Sequence, residues 1–211
     1  MKNINYNKLN EKTLSYYERK FRKFGANFKG SDWNSKSSQE IRFNQLLKVI
    51  ASFKKVDSIL DFGCGYGALY PYVSKKISEC RFYGYDISSI IIEKAKSLHP
   101  HKNCKWITDL KNIKEVDYTI ASGVFNVMQN NKEEDWLNYV LETLTLINSF
   151  TIEGFSFNIL TKYSDKNYMK DYLFYADPCF LFDFCKKNFS KNVSLLHDYS
   201  LYEFTIIVKK Y

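Results

Sequence analysis

The chain has 211 residues, 45% hydrophobic and 18% aromatic, with a formal net charge of +8. That length supports one domain with a full core. No apolar run approaches the ~20 residues of a membrane span, and five scattered cysteines without a Cys-x-x-Cys pair fit a reduced cytoplasm better than a disulfide framework or a zinc site. Met1-Lys-Asn-Ile-Asn runs on into polar residues, so no signal peptide is expected. The charge is uneven. Residues 1–55 hold 13 Lys and Arg against 4 Asp and Glu, whereas residues 56–211 hold 18 against 19. A basic excess confined to the N-terminal quarter reads either as a solvated helical face or as an attraction for an anionic acceptor.

In chain order, Lys8 to Lys23 reads as a helix with Leu9, Leu14, Tyr17 and Phe21 at core-like spacings. Phe24-Gly25 ends it, and a loop through Ser37 carries Gly30 and Trp33. Ser37-x-x-Glu40 is a capping-box pattern. It opens a second helix to about Phe53, with Ile41, Leu46 (or Gln45), Val49 and Ile50 inward and Arg42 one turn in. From residue 57 strands and helices alternate. Strands are expected at 58–61, 81–85, 104–107, 116–121 and about 151–158. Helices are expected after residue 68, over 90–98 behind Ser88 or Ser89, over 131–148, and from Asp177-Pro178. In that last helix Phe180, Phe184 (with Leu181) and Phe189 are expected to face the core. Alternation of this kind implies a parallel sheet with helices on both faces. Residues 160–175, polar and aromatic without clean periodicity, read as a lid or acceptor loop. The chain then ends in two strands, 193–197 and 201–208, joined by a link too short for anything but an antiparallel pair.

Chemistry concentrates where strands should end. Asp61 closes the first strand, and Gly63, Gly65 and Gly67 follow in alternation. Glycines permit a sharp turn and close approach of a ligand, and the amides of the helix behind them point into the crevice. Asp86 ends the second strand, where a carboxylate can accept both hydroxyls of a ribose; Asp109 ends the third. Gly63-x-Gly65-x-x-Ala68 also fits a looser dinucleotide fingerprint, but Asp61 would repel a pyrophosphate, and a terminal hairpin is not how a dinucleotide dehydrogenase ends.

Asp61-Phe-Gly-Cys-Gly-Tyr-Gly67, Tyr85-Asp86-Ile87 and Thr108-Asp109-Leu110 together resemble the first three motifs of the class I S-adenosylmethionine-dependent methyltransferases, and the resemblance runs from about Ser38 to the C-terminus. It implies an α/β, doubly wound, Rossmann-like seven-stranded sheet with a C-terminal antiparallel hairpin. Residues 1–211 would form one methyltransferase domain, in which 1–55 are a helical cap and 56–211 the α/β core. It implies S-adenosyl-L-methionine as cofactor. Asp61 would lie near the ammonium, with Gly63, Gly65 and Gly67 under the methionine part and Asp86 on the ribose. Ile87 and Leu110 would flank adenine, Asp109 would accept its amine, and Ser122 would lie near the sulfonium. Trp33 would shield the cofactor or anchor packing; Arg42 would meet the cofactor's carboxylate or a surface acid.

Methyl transfer needs alignment, and a base only where the acceptor carries a proton. His197, at the end of the sixth strand, is the candidate base, with a hydrogen-bonded hairpin histidine as the other reading; Tyr199 and Tyr202 are weaker candidates. Ala121-Ser-Gly-Val-Phe-Asn126 stands where amide- and adenine-methylating relatives carry Asn/Asp-Pro-Pro-Tyr, which argues against those targets. No metal site is expected, nor a nucleic-acid or membrane partner. The expected acceptor is a small molecule, anionic if the basic N-terminus guides it, methylated at oxygen. An RNA or protein methyltransferase and a non-catalytic cofactor-binding subunit are the alternatives. Further similarity to small bacterial enzymes of surface-polysaccharide or secondary metabolism is associative only.

Overall fold

The computed structural model describes residues 6–53, 56–77 and 79–211. Seven strands form one sheet in the order β3-β2-β1-β4-β5-β7-β6. They are β1 (Ser58–Phe62), β2 (Arg81–Tyr85), β3 (Cys104–Ile107), β4 (Val116–Ala121), β5 (Thr151–Leu160), β6 (Asn192–Leu196) and β7 (Glu203–Lys209). The first five are parallel, and β7 lies antiparallel between β5 and β6. The helices are α1 (Tyr6–Phe24), α2 (Lys36–Leu46), α3 (Tyr70–Ser74), α4 (Ser89–Leu98), α5 (Glu133–Phe150) and α6 (Pro178–Asn188).

Alternation along each strand sends neighbours to opposite faces. Leu60 joins Trp136, Leu144, Phe155, Phe157 and Leu181 under α5 and α6. Ile59 joins Phe43, Leu46, Val73, Phe82 and Ile92 under α2, α3 and α4. Both faces are thus covered, as a parallel sheet requires. No described helix is long and apolar enough to cross a membrane.

Several caps follow the local rules. Ser88 Oγ accepts from Ile91 N at 3.3 Å at the head of α4. Asp177 Oδ1 accepts from Cys179 N at 2.9 Å, with Pro178 in the first turn of α6. The capping box of α2 is not the expected Ser37–Glu40. Ser35, extended at φ −155°, accepts from Ser38 N at 3.0 Å, and Ser38 Oγ accepts from Ser35 N at 3.2 Å. Three serines within four positions made the register ambiguous, and the helix starts two residues early. It also stops at Leu46 and tightens into a 3-10 turn, Leu47–Val49, rather than running to Phe53. In α6 the expectation for Phe180 is overturned. It is 45% exposed, because Leu181 and Cys185 carry the inward stripe.

The crossover from β3 to β4 carries no helix and spans only residues 108–115. The flank of α5 on that side is left bare: Leu146 is 48% exposed. Residues 160–175 form a folded-back loop, bridged at Val127–Leu173 and Thr161–Ala176.

Candidate active site

The turn after β1 is built from glycine conformations. Gly63, Gly65 and Gly67 have φ of +77°, +53° and +82°, a region L side chains rarely adopt. A Cβ on Gly63 would stand 2.6 Å from the Val124 side chain. The turn is tied to β2, since Gly63 N and Cys64 N both donate to the Tyr85 carbonyl, at 2.7 and 2.9 Å. Asp86 is tied in as well. Its carboxylate accepts from Gly65 N at 3.0 Å and Ser88 N at 2.9 Å. A carboxylate offers about four acceptor positions, so two amides leave room for two hydroxyls.

Asp61 is 2% exposed. Burial and then the neighbouring Asp86 charge push its carboxyl up to about 8. Burial raises Asp86 as well, against the lowering effect of its amide donors. Across the turn, Ser122 follows the last residue of β4, and its buried Oγ has no hydrogen-bond partner. Gly123, at φ +70°, comes next.

These groups line a cavity of about 420 Å³. Its roof is the N-terminal region: Thr13, Tyr17 and Phe21 of α1, then Ser31, Trp33, Gln39 and Phe43. The roof is held down by Ser88 Oγ donating to Glu18 at 2.8 Å. The Tyr16 hydroxyl donates to Asp32, which also pairs with Lys20 at 2.6 Å. The far wall is α5, through Tyr139, Glu142, Thr143 and Leu146. Burial, then the Asp32 carboxylate, pushes the Tyr17 phenol far above its ordinary value, so it is a proton donor and not a base.

Eight of the residues singled out in the sequence line this cavity: Asp61, Gly63, Gly65, Asp86, Ile87, Leu110, Ser122 and Trp33. Four do not. Gly67 serves packing; a Cβ there would lie 2.5 Å from the Trp106 ring. Asp109 is exposed and turned to its own loop, where Lys111 N at 2.7 Å and Lys111 Nζ at 3.1 Å hold it below the usual carboxylate range. Arg42 meets neither a cofactor carboxylate nor a surface acid. It is buried against Glu203, with Nε 2.8 and 3.0 Å and Nη2 2.5 Å from the carboxylate oxygens. His197 follows the edge strand β6, four strand positions from β1 and hence roughly 19 Å away at ~4.8 Å per strand. It is exposed, with its ring against Tyr163 and Phe204. Tyr199 and Tyr202 bond Thr205 and Asp165 instead of lining the cavity.

Sequence reading passed over Tyr17 as a site residue, along with Gln39 and the α5 wall. For the wall a signal existed. Residues 139, 142, 143 and 146 follow an i, i+3, i+4, i+7 spacing beside the apolar stripe of Trp136, Val140, Leu144 and Ile147.

A five-strand parallel sheet ending in an inserted antiparallel strand, with a glycine turn between two strand-end carboxylates, defines the class I methyltransferase architecture. Solved structures of the same shape include the magnesium protoporphyrin IX methyltransferase ChlM of Synechocystis PCC 6803 with bound SAH (TM-score 0.65, 13% identity, 97% of each chain covered). Another is the N-methyltransferase NodS of Bradyrhizobium japonicum WM9 with S-adenosyl-L-homocysteine (TM-score 0.65, 13% identity, 94% of this chain and 98% of that one). A family model described as a methyltransferase domain matches residues 60–145. The protein named "Putative methyltransferase Rv1506c" of Mycobacterium tuberculosis (strain ATCC 25618 / H37Rv) is 45% identical over 154 residues, 72% of this chain and 93% of its own. The chain belongs to the S-adenosylmethionine-dependent methyltransferase family.

Proposed function

We propose that the cavity binds S-adenosyl-L-methionine across the glycine turn and methylates a small, uncharged or cationic acceptor beneath the N-terminal roof. The observation that carries this is the pair of strand-end carboxylates, Asp61 buried and Asp86 half-buried, on either side of a turn whose glycines carry no side chain into the cavity. When bound, the cofactor supplies a methyl on a sulfonium sulfur, a carbon that already carries a good leaving group. Asp61 would hold the ammonium, Asp86 would accept the ribose hydroxyls, and Gly63 and Gly65 would let the backbone approach the methionine part. Ile87 and Leu110 would flank the base. With Asp109 turned outward, Glu142 is the carboxylate remaining on the α5 side of the cavity. The unpartnered Ser122 hydroxyl has a hydrogen bond to give, and Trp33 and Tyr17 exclude water from above. The orphaned hydroxyl, the raised Asp61 and the space a Cβ on Gly65 would occupy all fit such a ligand.

The acceptor class follows from charge. Among the described residues the cavity walls carry Asp61, Asp86 and Glu142 and no lysine, arginine or histidine. Beyond the cofactor's own sulfonium, an anionic acceptor would meet no cationic side chain among the described lining residues to offset its desolvation. The basic residues Arg19, Arg22 and Lys23 of α1 line a separate surface hollow. His197, the candidate base for a hydroxyl acceptor, lies outside the cavity, so a base no longer favours oxygen over an amine nitrogen. Positioning of acceptor against methyl is the main catalytic device, worth ~7–11 kcal/mol at best.

The test is transfer of isotopic methyl from S-adenosyl-L-methionine to matched panels of hydroxyl and amine compounds, with and without phosphate or carboxylate groups. Label is expected in the uncharged or cationic members. Label confined to the anionic members would overturn the acceptor assignment.

A further inference from the structure

We propose that Asn158 and Glu203 are positioning residues for methyl transfer, holding the Ser122-Gly123 corner through a closed ring of buried contacts that also contains the roof. The inference rests on the methyltransferase reading of the cavity. The ring begins at Gly123. Its N–H donates to Asn158 Oδ1 at 2.9 Å. Asn158 Nδ2 donates to Glu203. Glu203 accepts the Arg42 guanidinium through both oxygens, and Arg42 Nη1 donates onward to the Ser38 carbonyl at 2.8 Å. The guanidinium carbon lies 4.0 Å from the centroid of the Trp33 ring. That indole presses on Gly123: a Cβ there would stand 2.2 Å from it. The path therefore returns to its start.

Five stretches of chain meet in this ring: the β4 end, β5, β7, α2 and the loop before α2. Asn158, Glu203 and Arg42 are all buried, at 0%, 1% and 5% exposure. A buried ion pair is weak grounds for stability, because desolvation consumes most of its Coulombic gain. What it does secure is direction. Arg42 can satisfy Glu203 and lie over Trp33 in one pose only, and Glu203 then fixes the amide orientation of Asn158, with oxygen toward Gly123. The Tyr17 hydroxyl reaches the Gly123 carbonyl at 3.5 Å from the roof. Both polar groups of this glycine are thereby engaged, and its open face is filled. Ser122, which lines the cavity, is held from behind by its neighbour. Seating of the roof and the shape of the reacting corner become one cooperative event.

Two variants test the ring, each measured by amide hydrogen exchange over residues 120–126 and by calorimetric binding of S-adenosylhomocysteine. Asn158→Asp keeps the acceptor for Gly123 but sets a carboxylate against Glu203. At about pH 8 exchange at Gly123 should rise at least ~10-fold and the ratio of variant to wild-type Kd should reach ~10. The ratio should shrink as pH is lowered, because a proton between the two carboxylates restores the donation. Arg42→Lys keeps the charge but loses the fork. It touches neither Gly123 nor the cavity, yet should speed Gly123 exchange by ~5-fold or more. Gly123 exchange unchanged in both variants, or a Kd ratio independent of pH, overturns the proposal. The exchange measurement needs no ligand, so failure of the wild type to bind S-adenosylhomocysteine would count against the cofactor assignment and leave the ring still tested.

Discussion

Asp61 carries the sharpest quantitative expectation. In the ligand-free protein its carboxyl, raised to about 8 by burial and by the Asp86 charge, is mostly protonated at neutral pH. At pH 7 the protonated fraction is about 0.9. A cofactor ammonium beside it favours the carboxylate, so binding must expel that proton. Calorimetry of S-adenosylhomocysteine at pH 7, run in buffers of contrasting ionisation enthalpy, should report release of about 0.9 proton. Affinity should weaken by about ninefold from pH 7 to pH 6, where the ligand amine stays charged throughout. In Asp61→Asn both effects should vanish. The same shift fixes the stability profile of the free protein. A carboxyl whose folded value lies above its unfolded one contributes most at low pH and loses that contribution as pH climbs from about 4 to 8. Asp61→Asn should therefore stabilise the unliganded protein at pH 8 and above, by up to about 5 kcal/mol. Buffer-independent heats and a flat affinity between pH 6 and pH 7 would refute the placement of the ammonium at Asp61.

Asp86→Ala should weaken S-adenosylhomocysteine binding by about 2–3 kcal/mol, because two hydroxyls lose a charged acceptor; equal affinity by calorimetry would remove the ribose role. The same change also strips the Gly65 and Ser88 amides of their partner, so a lower melting temperature should accompany it. Gly123→Ala places a methyl against Trp33 in a backbone region costly for alanine. It should destabilise by about 1–3 kcal/mol and release the roof to limited proteolysis, and an unaltered cleavage pattern would speak against the Trp33 contact. His197→Ala should leave turnover and cofactor affinity unchanged, and a large fall in turnover alone would return the histidine to the reaction.

The framework was legible because its signals are local and redundant. β2, β3 and β4 fall at their expected residues, since each short apolar run is bounded by polar turns. Asp61, the glycines and Asp86 were visible as strand-end chemistry in a repeating order. What stayed hidden depends on direction or distance. Position alone places Asp109 at a strand end but does not say which way its side chain turns, and Lys111, two residues on, draws it outward. Arg42 and Glu203 are 161 residues apart, and nothing local pairs them. His197 is at the correct end of its strand, but β6 is the far edge of the sheet, a fact of strand order and not of sequence pattern.

The roof described above has a kinetic corollary. On the proposed function, cofactor and acceptor share one chamber whose lid is the N-terminal region, latched to the core by a few polar contacts and by the indole of Trp33. Release of spent cofactor past this lid should then be the slow step of each cycle, and loosening the latch should trade residence time for throughput.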